Sequence, residues 1–447
     1  MGAWQWGNGR YTFRDFDHDG RLIRWTYRNG TDLLRSDVTF DAANRITALA
    51  DPLAPARSGA YQYDALDRLT VAQQGSPVTR TWQYGYDALG NRTAAQADAV
   101  TTTLTYAAGS QQLQQVAGGI VPGYLAGRTS VSFAYNHANR LTAISGDGVP
   151  LASYAVNGLG QRIVKTVGGV TTHFVYDEQG RLVGEYDGAG NLIQETVWLD
   201  ELPLATLRPT RTGNPTPIAI HYVHADHLGT PRAVTRPGDD QLLWRWDNTE
   251  PFGNSAPDEN PAGLGVYRYH LRFPGQYYDA EAGLHYNYFR DYDPAVGRYI
   301  ESDPIGLDAG VNTFEYVKSG PLGRVDPLGQ DWGNRPICGP FGCSFPGDPD
   351  YPPGPPGYRG PPPNGNVFPG SGAQDWICSP PMSSLNSNRC AQSCCREHDA
   401  CFARHGCNMS SWIGHRESAC AKCNRDAAWC IAKSFLSCPP LSCPAPK

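Results

Sequence analysis

An aromatic residue followed by aspartate returns along the chain at almost constant spacing: Phe16-Asp17, Phe40-Asp41, Tyr63-Asp64 and Tyr86-Asp87, at intervals of 24, 23 and 23 residues. Fainter copies stand at Tyr135-Asn136 and Tyr176-Asp177, and Tyr186-Asp187 opens another. Several continue alike, as in Asp41-Ala-Ala-Asn-Arg45-Ile46, Asp64-Ala-Leu-Asp-Arg68-Leu69 and Asp177-Glu-Gln-Gly-Arg181-Leu182. The aromatic and the Arg-Leu pair read as two arms of a hairpin, with Asp, Asn and Gly supplying the turn. A single hairpin cannot bury its own face, so the repeats must stack into a continuous sheet. Abundant Gly (50) and Pro (37), 11% aromatics and only 18% charged residues agree with turn-rich β structure.

Cysteine divides the chain. All 13 lie between Cys338 and Cys443, leaving the first 337 residues with none. A dense cysteine cluster reads as a disulfide scaffold for an oxidising space. The N-terminal residues show no basic start followed by an apolar run, and no stretch of eighteen apolar residues exists, so neither a signal peptide nor a membrane span is expected. A disulfide domain without an export signal implies another delivery route or a fragment of a longer protein. The formal net charge of -6 argues against nucleic acid as the main partner. From Ser371 onward eight Lys/Arg stand against five Asp/Glu, a mildly basic tip that suits an anionic membrane surface.

Residues 226 to 330 carry a denser set of motifs: Asp226-His-Leu-Gly-Thr-Pro-Arg232, Pro251-Phe-Gly253, Phe273-Pro-Gly-Gln-Tyr-Tyr-Asp279, Gly283-Leu-His-Tyr-Asn287, Tyr292-Asp-Pro294, Gly297-Arg298 and Ser302-Asp-Pro-Ile-Gly-Leu307. With the repeats, they resemble the YD-repeat, or rearrangement-hotspot (Rhs), family of polymorphic toxins over nearly all of residues 1–330, with the core motif at 224–330. The resemblance implies an all-β shell around a variable C-terminal toxin, and self-cleavage by an aspartyl-type reaction at an Asp-Pro-x-Gly-Leu signature. The signature here ends Asp326-Pro-Leu-Gly-Gln330, with Gln330 in place of Leu and the cut expected at Gln330–Asp331. Two carboxyl groups sharing a proton are what such a reaction requires, and Asp303 and Asp326 are the candidates. Asp-Pro is also an ordinary turn starter, which is the bland alternative.

Residues 331–370 form a linker, dominated from 336 by Pro and Gly and too poor in apolar residues for a core. Cys338 and Cys343 within it could bridge to each other. Residues 371–447 are then a third domain. Cys394-Cys-Arg-Glu-His398-Asp399-Ala-Cys401 suits a helix, and Arg416–Leu436 a second. Cys394 and Cys401 are seven apart, as are Cys423 and Cys430, so antiparallel helices would pair 394 with 430 and 401 with 423 in one register. His398, Asp399 and Asn424 fall beside this seam, where an imidazole could activate water and a carboxylate could hold a hard cation.

This pattern resembles secreted phospholipase A2, whose Cys-Cys-x-x-His-Asp-x-Cys signature residues 394–401 match. The resemblance implies His398 as general base, Asp399 as Ca²⁺ ligand with the backbone carbonyls of Ile377, Ser379 and Pro381, and Asn424 in place of the aspartate that orients the histidine. It also implies a Cys378–Cys395 bridge, and Cys407–Cys420 is a further candidate. Cys390, Cys438 and Cys443 remain. Ser379-Pro-Pro381 departs from the family's glycine-rich calcium loop. Two rival readings are a zinc site on Cys420-x-x-Cys423 with His398 or His405, perhaps in a nuclease, and a membrane-binding module without catalysis.

The expectation is therefore multidomain: an all-β repeat shell, then a small disulfide-rich α-helical phospholipase A2-like domain that hydrolyses the sn-2 ester of glycerophospholipids with Ca²⁺. The expected partners are a target-cell membrane, a cognate immunity protein and secretion machinery, with action in the periplasm or extracellular space and no nucleic-acid partner.

Overall fold

Each Phe/Tyr-Asp unit closes a hairpin by the same device. In the computed structural model, which describes residues 2–210, 217–330, 337–339 and 342–344, the aspartate's Oδ1 accepts two backbone N–H groups of its own turn. For Asp64 these are Leu66 at 2.9 Å and Arg68 at 3.0 Å, and for Asp41 they are Ala43 at 2.9 Å and Arg45 at 3.0 Å. The other oxygen takes the arginine side chain, Arg68 Nε at 2.7 Å and Arg45 Nε at 2.7 Å. The fourth turn residue has positive φ, as in Asn44 at 62° and Asp67 at 60°, a conformation that Asn, Asp and Gly tolerate best. The aromatic then pairs with the residue after the arginine (Tyr63 with Leu69, Phe40 with Ile46), and a register shift at that point bends the strand.

The hairpins are welded in series. Tyr63 OH donates to Ile46 O at 2.8 Å and Tyr86 OH to Leu69 O at 2.8 Å, each reaching back one repeat. Arg45 and Arg68 reach forward, lying 5.4 Å and 4.8 Å from the ring centroids of Tyr63 and Tyr86. Arg68 Nη1 also donates to Asp87 O at 2.8 Å. One aspartate thus organises a turn, and its arginine hands the geometry to the next repeat.

The result is two eleven-stranded antiparallel meanders, spanning residues 2–118 and 131–245, with neighbours in sheet order following chain order throughout. A four-stranded sheet covers residues 277–299. The all-β reading is met: among the described residues of 1–330 the helical elements are four short 3-10 turns. The segment from Trp246 to Leu322 supplies the filling. Phe252 and Leu322 pack with Leu69, Trp82 and Tyr84 of the first sheet, and Ala282 and Leu284 pack with Leu141, Ile144 and Tyr154 of the second. Tyr292, Tyr299 and Tyr316 join Trp244, Trp246 and Phe174 in the largest cluster.

Two repeats depart from the pattern to anchor this filling. Where Arg45 and Arg68 cap their turns, Asn91 and Gln161 stand instead, followed by Arg92 and Arg162. A shift of one position along a strand sends a side chain to the opposite face. Both arginines are accordingly buried, at 5% and 2% exposure. Arg162 contacts Asp279 and, at 3.0 Å, Asp291. Arg92 lies 3.7 Å from the Phe252 ring centroid.

The backbone of Cys338 pairs with that of Cys343 in a short hairpin, Ile337–Gly339 with Gly342–Ser344. The stapled helices expected in 371–447 lie outside the described residues.

Candidate functional site

Asp303 and Asp326 meet. Strand Arg290–Asp293 opens with a guanidinium whose Nη2 lies 2.7 Å from Asp303 Oδ2 and 3.1 Å from Asp326 Oδ2. All three side chains are at most 2% exposed. Two buried carboxylates thus converge on one guanidinium, an arrangement in which a carboxyl pair is able to share a proton.

The neighbouring hairpin builds the rest. Strand Leu284–Asn287 pairs with Arg290–Asp293 through a tight turn in which Tyr288 has φ 55°. This turn cradles the last described residues of the shell. Phe289 N donates to Leu328 O at 3.0 Å, Arg290 Nε to Gly329 O at 2.6 Å, and Asn287 Nδ2 to Asp326 O at 2.9 Å. Gly329 has φ 65°, and a Cβ there would stand 2.3 Å from Asn287 O, so only glycine fits without displacement. Gln330 N then donates to Asp326 Oδ1 at 3.1 Å. The carboxylate therefore touches the residue that carries the expected scissile carbonyl.

Tyr299, 1% exposed, donates its hydroxyl to Asp326 Oδ2 at 2.7 Å and accepts from Asn287 Nδ2 at 2.6 Å. Burial, reinforced by Asp326, holds its phenol in the protonated form. Asp303 Oδ1 accepts Ile305 N at 3.0 Å, the turn role expected of Asp-Pro, here combined with the guanidinium contact.

The structure thus brings together both aspartates singled out from sequence. Sequence reasoning passed over Arg290 and Tyr299 and quoted Asn287 only as part of a family pattern; a lone arginine in a tyrosine-rich stretch carries no spacing signal. His398, Asp399, Asn424, Ile377, Ser379, Pro381 and the cysteine pairs 394–430, 401–423, 378–395 and 407–420 lie outside the described residues, as does Asp331. Among the described residues no cluster of His, Cys, Asp and Glu is arranged to hold a metal, and no helix is long and apolar enough to cross a membrane.

The fold has known relatives. The Teneurin YD-shell family model matches residues 11–316. A double-stranded DNA deaminase toxin of Burkholderia cenocepacia is 32% identical over 254 residues, which is 49% of this chain and 16% of that protein. A probable deoxyribonuclease, RhsB, of Dickeya dadantii is 32% identical over 197 residues, 38% of this chain and 13% of its own length. The chain therefore spans a small part of these relatives. The crystal structure of a TcdB2-TccC3-Cdc42 complex superposes with a TM-score of 0.58 at 19% identity, covering 73% of this chain and 18% of that one, and shares the fold.

These relatives overturn the expectation of a phospholipase A2-like ester hydrolase acting on a phospholipid membrane, because the activities in their names are on DNA. A short signature and a matching cysteine register, the basis of the esterase reading, fix neither fold nor activity. The exclusion of nucleic acid from the net charge of -6 fails for a related reason. A whole-chain sum is dominated by the shell and says little about what a toxin acts on. With more than half of its length matched, the chain belongs to the Teneurin YD-shell family.

Proposed function

We propose that this chain is the closing section of a toxin shell that releases its C-terminal cargo by aspartyl-type self-cleavage after Gln330. The observation that carries the reading is the convergence of Asp303, Asp326 and Arg290 on a segment whose last amide, Gln330 N–H, is held by Asp326 itself. One carboxylate takes a proton from water as its oxygen adds to the Gln330 carbonyl carbon. The other carboxyl gives its proton to the carbonyl oxygen. Collapse of the tetrahedral adduct breaks the C–N bond: the leaving nitrogen takes the proton that the first carboxyl accepted from water, one hydroxyl proton of the adduct returns to the second carboxylate, and a new carboxyl terminus remains at Gln330. Arg290 limits the charge that two adjacent carboxylates build up. The full chain should run as two pieces on a denaturing gel, and Asp303→Asn or Asp326→Asn as one. Two pieces from both variants would remove the reading.

For the cargo, the relatives' names support an enzyme directed at nucleic acid, delivered by secretion machinery and held in check by a cognate immunity protein. Plasmid DNA and transfer RNA incubated with the full chain should be cut or deaminated; both left intact would exclude that class.

A further inference from the structure

Asp326 is held at two points by one linked pair of side chains. Tyr299 donates to its Oδ2 at 2.7 Å, while Asn287 donates both to the Tyr299 oxygen at 2.6 Å and to the Asp326 main-chain oxygen at 2.9 Å. Asn287 and Tyr299 are 0% and 1% exposed. They come from different strands, Leu284–Asn287 and Arg298–Tyr299, so the pair fixes Asp326 in position as well as in charge. Arg290 and Tyr299 contact Asp326, Asp303 reaches the same guanidinium, and the Tyr316 phenol is held protonated by burial and by the Asp326 charge.

We propose that Tyr299, braced by Asn287, is a positioning residue that makes Asp326 the charged member of the aspartate pair and leaves the shared proton on Asp303. This assignment rests on the self-cleavage reading and divides its two roles. A phenol that donates to Oδ2 favours the ionised form of that carboxyl. Oδ1 accepts Gln330 N at 3.1 Å, the same i+4 turn contact that Asp41 and Asp64 make, which leaves Oδ2 for the phenol. Asp326 then takes the proton from water, and Asp303 supplies the proton to the Gln330 carbonyl oxygen. Tyr299 exchanges no proton with substrate and acts through Asp326 alone.

The test is the pH dependence of cutting. The full chain is made by cell-free synthesis in the cold and transferred to buffers across the acid and neutral range, and the uncut fraction is followed with time. Tyr299→Phe removes one hydrogen bond at unchanged shape, so the acid limb of the rate profile should move up by about one pH unit. Asn287→Ala should move it in the same direction by less. A packing role alone would lower the rate at every pH without moving the limb. An unmoved limb in Tyr299→Phe would overturn the assignment; should that variant fail to fold, an unmoved limb in Asn287→Ala would do so. Asp303→Asn and Asp326→Asn run alongside, since cutting that survives both rejects self-cleavage itself, whereas loss of cutting in both with an unmoved Tyr299→Phe limb rejects only the role of Tyr299.

Discussion

Arg162 shows how much one buried side chain can carry. Its guanidinium serves Asp279 and Asp291, while Lys165 Nζ reaches Asp279 at 2.9 Å and Glu281 at 3.3 Å. Removing the arginine takes the ion-pair partner from Asp291 and leaves Asp279 to Lys165, and breaking a buried pair in this way costs about 3–5 kcal/mol. Arg162→Leu should therefore lower the denaturant midpoint sharply, and an unchanged midpoint would show that the network is energetically neutral. Asp293 offers a pH test. Its pKa is pushed up to about 7, first by burial, while backbone N–H groups from Gly123 and Ala295 oppose the shift. In the unfolded chain it ionises near pH 4. The folded shell thus holds the extra proton between those values, and this group's contribution falls as pH rises from about 4 to about 7, by roughly 1.4 kcal/mol per unit. Buried histidines such as His224, lowered to about 3 by burial, act in the opposite direction up to about pH 6.5. The informative quantity is consequently the stability gap between wild type and Asp293→Asn, which should shift in the variant's favour from pH 5 to pH 8. A gap that stays constant would contradict a raised Asp293.

At the scale of the hairpin, the sequence is unusually readable because one aspartate has three partners at fixed offsets. Phe40-Asp41 and Tyr63-Asp64 announce turn, register and arginine clasp together. The same turn escapes notice where the letters change. Asn157 Oδ1 accepts Leu159 N and Gln161 N at 3.0 Å each, and Asp226 Oδ1 accepts Leu228 N at 2.9 Å and Thr230 N at 3.0 Å. Both are repeat turns without the aromatic that marks the others. Arg92 and Arg162 were equally hidden, since a one-residue displacement changes the face of the sheet without changing composition. Coupling between repeats is measurable. Arg68→Ala and Tyr86→Phe, singly and together, should give an interaction energy of about 0.5–1.5 kcal/mol in a double-mutant cycle. Strict additivity would mean that the stacked arginine and the back-reaching hydroxyl act independently.

Across residues 1–330, the segment following the second large sheet packs against both meanders and brings Arg290, Tyr299, Asp303 and Asp326 into one dry site. Position in the chain hinted at the two aspartates, because each precedes proline in a repeated Asp-Pro-x-Gly frame. Their meeting depends on a guanidinium some way upstream, which only the folded sheet reveals. The tail shows the converse, since a persuasive local motif led to an activity that the relatives do not share. Heavy-oxygen water gives the most direct test of the central claim. Cleavage of the full chain in that solvent should yield an N-terminal fragment ending at Gln330 with one heavy oxygen in its new carboxyl group. A fragment ending elsewhere, or a chain that stays whole with both aspartates intact, would contradict it.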